Sequence, residues 1–204
     1  MHENKPGNQY KLLELVEKII DGSKYVDNIE EWTDGLSYKL GESYPTTDSG
    51  DTFTIQLDIK DIYNDDGGYR DYAKALKTII HEYSHTLFLN SDQINYSKRN
   101  KDYYYYNAEC FRKGSYILDF YNEFWKDIPI DTGDAVYTAH LEGFVNQYAS
   151  QTCDEDIAES FTMFVLTNKQ LGDSICAQKI NFFYNYPEMV KIRDHIRSEF
   201  GIDC

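Results

Sequence analysis

At 204 residues the chain is long enough to bury a sizeable apolar interior in one domain. We read it as such, with an N-terminal α/β part over about 1–89 and a helical part over about 90–204. Thirty-five acidic residues against 20 basic ones give a formal net charge of −15, which argues against a nucleic-acid partner because a phosphate backbone would be repelled. No apolar run reaches the roughly 20 residues that span a bilayer. The opening Met1-His2-Glu3-Asn4-Lys5-Pro6-Gly7 has no signal-peptide core. With a leader removed ahead of this numbering, the expected location is extracellular or at the cell surface.

The first predicted element is a helix over about 9–21, with Leu12, Leu13, Val16, Ile19 and Ile20 on one face and Gly22 as its stop. Residues 25–40 are mixed in pattern and predict a short strand or helix. From Asp51 to Lys60 the sequence alternates strictly, Phe53, Ile55, Leu57 and Ile59 against Thr, Gln, Asp and Lys, which predicts a strand. If that strand lies at a sheet edge, its free N–H and C=O groups could take up an extended substrate. Asn64-Asp65-Asp66-Gly67-Gly68 lacks the calcium-loop spacing and reads as a turn. The run Tyr72–Phe88 has helical periodicity, with Tyr72, Leu76, Ile79, Ile80, Tyr83 and Leu87 on a packing face. A long helix is predicted over about 103–127, stopped by Pro129. Its opening Tyr103-Tyr-Tyr-Tyr106 reads as packing before it reads as a substrate-facing wall. Further helices are predicted over 135–149, from Asp154 as N-cap to about Asn168, and from Pro187 to Gly201. Cys110, Cys153, Cys176 and Cys204 show no C-x-x-C spacing, which argues against a cysteine zinc site and leaves disulfides and free thiols both open.

Chemistry concentrates in His81-Glu82-Tyr83-Ser84-His85. On a helix, residues four apart stand one above the other, so His81 and His85 aim two imidazoles at one point. That donor set suits zinc, and Glu82, about 100° further round, can act on a water there without being a ligand. A catalytic zinc usually takes three protein ligands, and three candidates offer the third. Glu123 lies in Asn122-Glu123-Phe124-Trp125-Lys126-Asp127, which matches the N-E-x-x-x-D pattern of thermolysin-like enzymes. His140 is a lone histidine. Glu155 lies in Glu155-Asp156-Ile157-Ala158-Glu159, where one helical turn sets two carboxylates on the same face. There Glu155 can bind metal while Glu159 accepts the N–H of a ligating imidazole.

Together, His81-Glu82-x-x-His85, the downstream Glu155-x-x-Ala158-Glu159 and Tyr148 seven residues before Glu155 resemble the gluzincin-type zincin metallopeptidases. The pattern resembles especially that of the anthrax lethal factor catalytic domain and the clostridial Pro-Pro endopeptidases. The resemblance covers these two segments, about a fifth of the chain. It implies an α+β zincin-like fold, with a small twisted sheet crossed by the His81–His85 helix and a mainly helical C-terminal half. It also implies Zn2+ held by His81, His85 and Glu155, Glu82 as general base for a zinc-bound water, Glu159 behind an imidazole, and Tyr148 as oxyanion donor. The implied activity is a zinc metalloendopeptidase acting on a protein or peptide substrate. The interval between His85 and Glu155 is longer than in those enzymes and is expected to hold an inserted helical hairpin, so a Pro-Pro preference does not transfer. A catalytically silent zincin-fold binding module and a thermolysin-like site using Glu123 are the alternatives.

Overall fold

The computed structural model describes residues 6–33, 35, 39–99, 107–128 and 141–202. Helix α1 spans Pro6–Ile20 and buries Leu12, Leu15, Val16 and Ile19. It closes through Asp21 and Gly22, both at positive φ (44° and 66°), a turn that glycine permits at little cost.

Three strands form one sheet: β1 (Val26–Trp32), β2 (Gly41–Pro45) and β3 (Phe53–Asp58), in the order β1-β3-β2. β3 is parallel to β1 and antiparallel to β2. The alternating segment is therefore the central strand, which removes the edge role considered for it; β2 holds an edge instead. Nor is the polar face of β3 open to water: Thr54 and Asp58 are buried along with Phe53, Ile55 and Leu57. The strand stops at Asp58, short of the expected Lys60, because that carboxylate accepts the backbone N–H groups of Lys60 and Asp61 (2.9 and 3.2 Å) and starts the short helix α2 (Ile59–Ile62).

Helix α3 (Tyr72–Phe88) begins at Asp71, whose side chain accepts the Lys74 N–H at 3.0 Å. It ends where the Asn90 amide donates to the carbonyls of Thr86 and Leu87. Every residue from Ile79 to Phe88 is buried. The face opposite the packing residues carries the histidines, as expected, and it too is buried: α1, β2 and the later helix Cys153–Leu166 all pack on α3. Tyr72, assigned to the packing face, is half-exposed at 47% and sits edge-on to Tyr69.

Of the helix expected over 103–127, the described residues from 107 hold α4, Tyr116–Phe124. Gly114 at φ 79° breaks the chain direction, and Ser115 then caps α4 by accepting the Leu118 N–H. The residues before it turn instead to pair Phe111 with Ile94. Of the helix expected over 135–149, the described residues from 141 hold two short 3-10 turns, Leu141–Gly143 and Tyr148–Ser150. Pro129, Thr132-Gly133, Tyr103–Tyr106, His140 and Cys204 lie outside the described residues.

Helix α5 (Cys153–Leu166) is capped by Thr152, not Asp154: the threonine hydroxyl accepts the Glu155 N–H, which leaves Asp154 inside the first turn. The short α6 (Ile175–Asn181) was not anticipated; α7 (Pro187–Phe200) opens on its proline and closes at Gly201, φ 59°. The core between these helices is aromatic. Phe88, Phe120, Phe161, Phe164 and Phe183 are fully buried, and Phe183 has ring centroids 5.2–5.6 Å from those of Phe88, Phe161 and Phe164. Two buried arginines of α7 close the far end of α5. Arg193 donates to the carbonyls of Phe164 and Thr167, and Arg197 to those of Val165 and Thr167. These are the last-turn acceptors that a helix leaves unpaired.

Candidate metal centre

α3 and α5 pack side by side, and their facing residues meet at one point. His81 Nε2 lies 3.1 Å from His85 Nε2 and 3.1 Å from Glu155 Oε2, and His85 Nε2 lies 3.4 Å from that same oxygen. His81, His85 and Glu155 form the group among the described residues that could hold a metal ion. The chemistry of the donors fits zinc. Ligands about 2.0–2.2 Å from a tetrahedral ion stand roughly 3.3–3.5 Å from one another, close to the three separations found here. The hydrogen-bond inventory agrees, because Glu155 Oε2 is buried with no aligned donor. An oxygen so placed costs free energy unless a cation meets it.

The imidazole of His81 is fixed from behind. Its Nδ1 is 3.0 Å from Glu159 Oε1, near contact without the alignment of a finished hydrogen bond. The other oxygen of Glu159 takes the Lys77 ammonium at 2.9 Å and the Asn146 amide at 2.6 Å. Lys77 stands one helical turn before His81. One carboxylate thus joins α3, α5 and the segment before α5, and it favours the His81 tautomer whose free lone pair faces the centre.

Electrostatics follow from burial and these carboxylates. Burial works against a charged imidazole, yet Glu155 and Glu159 outweigh it and push His81 up to about 10. His85 is raised against the same burial penalty, chiefly by Glu155. Glu155 is driven the other way: burial opposes its charge, but His85 and His81 hold it well below the usual carboxylate range. Glu159 is likewise held low by His81 and Lys77 against burial. The pocket therefore stabilises positive charge at its centre, and a metal ion competes with protons for it.

Glu82 belongs to the same cluster but is tuned differently. It is 7% exposed, and burial raises its pKa, with Glu155 adding to the rise while both histidines oppose it. A raised carboxyl holds a proton more readily, as a proton-transferring group requires. β2 presses on it, since a Cβ placed on Gly41 would stand 3.1 Å from Glu82 Cγ. Ser43, two residues on and on the same face of the strand, also favours its charged form.

Tyr148 enters from the 3-10 turn before α5. Its hydroxyl donates to Glu155 Oε1 at 3.0 Å and its ring centroid is 5.8 Å from that of His81, while the residue as a whole is 46% exposed. Burial of the hydroxyl end and the neighbouring Glu155 raise its pKa, so it stays protonated and able to donate.

Of the residues singled out from the sequence, His81, Glu82, His85, Tyr148, Glu155 and Glu159 are brought together. Glu123 is not: α4 turns Ile117 and Phe120 inward and leaves Glu123 and Asp127 exposed, which removes the thermolysin-like alternative. Lys77 and Asn146 were missed. Lys77 carries a legible signal, standing four residues before His81 and so on the same helical face; Asn146 carries none, because its contact depends on the path of an irregular segment.

A family model described as "Putative zinc-binding metallo-peptidase" matches residues 42–198. No curated protein and no solved structure matches the chain.

Proposed function

Since the chain belongs to that family of zinc-binding metallo-peptidases, we propose that it is a zinc-dependent endopeptidase hydrolysing peptide bonds in a protein or peptide substrate at the His81, His85, Glu155 centre. The observation that carries this reading is the convergence of the three donor atoms, one of them a buried carboxylate oxygen without an aligned donor, beside a buried glutamate of raised pKa.

His81, His85 and Glu155 would hold the zinc, which when bound would supply Lewis-acid polarisation of the scissile carbonyl and a water made nucleophilic near neutral pH. Glu82 takes the proton of the attacking water and passes it to the departing amine. Glu159 keeps the His81 ring oriented, and Lys77 and Asn146 keep Glu159 in place. Tyr148 swings its hydroxyl from Glu155 towards the oxygen on which negative charge develops, an interaction worth about 3 kcal/mol when preorganised. An extended substrate is taken up along the edge of β2, which passes Glu82 at Gly41. These roles parallel those in the lethal factor and Pro-Pro endopeptidase group, which shares the same spacing of Tyr148, Glu155 and Glu159.

The test is digestion of a degenerate peptide library with and without chelator, read by mass spectrometry. Cleavage that disappears with chelator and returns with zinc supports the proposal. A protein that binds one zinc per chain and cuts nothing is instead a binding module.

A further inference from the structure

Lys179 is buried far from solvent and takes no part in the chemistry above. It is 1% exposed, and its ammonium is 2.7 Å from Asp156 Oδ2, an oxygen that also accepts the Trp125 indole N–H at 2.7 Å. Three rings surround the same ammonium. Phe144 lies with its centroid 3.7 Å away, and Phe124 and Trp125 at 6.0 Å. Burying an ion pair is expensive and adds little stability over apolar residues of the same size. What it can supply is position, because the charge must meet its carboxylate and its rings together.

The position it sets is that of the segment 141–152. This stretch lacks regular structure beyond two 3-10 turns, yet it delivers Asn146 to Glu159 and Tyr148 to Glu155. Tyr148 itself is half-exposed, at 46%. Phe144 is 4% exposed, rests edge-on against Trp125, and precedes Tyr148 by four residues. Asp156, which holds the ammonium, directly follows Glu155 on α5. The contact of Lys179 with Phe144 therefore ties the tyrosine-bearing segment to the helix carrying the third zinc ligand.

We propose that Lys179 is a positioning residue, which through Phe144 holds the segment 141–152 so that Tyr148 reaches the reaction centre. The catalytic consequence rests on the role of Tyr148 given above. The experiment compares Phe144→Leu, which removes the ring and leaves the ion pair, in the native and Tyr148→Phe backgrounds. Amide hydrogen exchange, zinc content, kcat and KM are measured on the zinc-loaded protein. Expected are faster exchange confined to 142–152, one zinc per chain, a kcat reduced about tenfold with KM within twofold, and less than a twofold further loss in the Tyr148→Phe background. Lys179→Met should reproduce the pattern, and Lys179→Arg, which keeps a cation over the ring, should restore most of it. If Phe144→Leu does not fold, Lys179→Met against Lys179→Arg carries the same comparison. Unchanged exchange in 142–152 overturns the proposal, as does an equal loss of kcat in both backgrounds. If exchange rises while Tyr148→Phe alone leaves kcat untouched, the anchoring stands and it is the role of Tyr148 that fails.

Discussion

Gly41 is the point at which the sheet bears on the proposed base, and Gly41→Ala tests how tightly. The added methyl would stand 3.1 Å from Glu82 Cγ, 3.1 Å from Thr78 Cγ2 and 3.2 Å from the Gln56 carbonyl oxygen. That oxygen belongs to β3, the central strand, and the Glu82 side chain is itself buried, so neither yields freely. Extra carbon in a packed interior costs about 1–3 kcal/mol, which in a chain of this size lowers Tm by roughly 2–12 °C. The larger effect should fall on activity, because a displacement of about 1 Å at a reacting group can cost on the order of a hundredfold in rate. We expect kcat/KM on a peptide substrate to fall 10- to 100-fold while zinc content stays at one per chain, and Thr78→Ala in the same chain to recover part of the loss. Activity and Tm both unchanged would refute the close approach of β2 to Glu82.

Glu159→Gln, which removes the charge facing His81 Nδ1 and Lys77, should weaken zinc binding about 10- to 100-fold in chelator-competition titrations. Glu155→Ala should abolish stoichiometric zinc binding in the same titrations and Glu123→Ala should not, since Glu123 is exposed and outside the cluster. Removing the metal should lower stability as well: at free zinc a thousandfold above its Kd, binding contributes about 4 kcal/mol, so chelation should reduce Tm by roughly 8–16 °C in scanning calorimetry. Arg197→Ala takes two donors from the final carbonyls of α5, and at about 3 kcal/mol it should lower Tm by roughly 6–12 °C while zinc affinity at the folded centre is unchanged.

Much of the metal centre was legible because helical spacing alone determines it. His81 with His85, and Glu155 with Glu159, stand four apart, and no tertiary context is needed to place each pair on one face. The strand Phe53–Asp58 and the helices around Tyr72–Phe88 and Pro187–Phe200 were legible for the same reason, as periodic runs bounded by caps and turns. β2 was not: Gly41-Glu-Ser-Tyr-Pro45 is short, with glycine and proline at its ends, and it becomes a strand by pairing with β3. The start of α4 was expected too early because the turn at Gly114 (φ 79°) and the capping Ser115, which set it at Tyr116, sit inside an otherwise helix-compatible run. Asn146 and Lys179 act across contacts between distant parts of the chain, which no local pattern encodes.

The central claim is that Glu82 performs the proton transfer at a zinc held by His81, His85 and Glu155. Its most direct test measures zinc content and peptide hydrolysis together in Glu82→Gln. The account predicts one zinc per chain, as in the native protein, with kcat lowered by at least a hundredfold. Full zinc content with hydrolysis close to the native rate would contradict it.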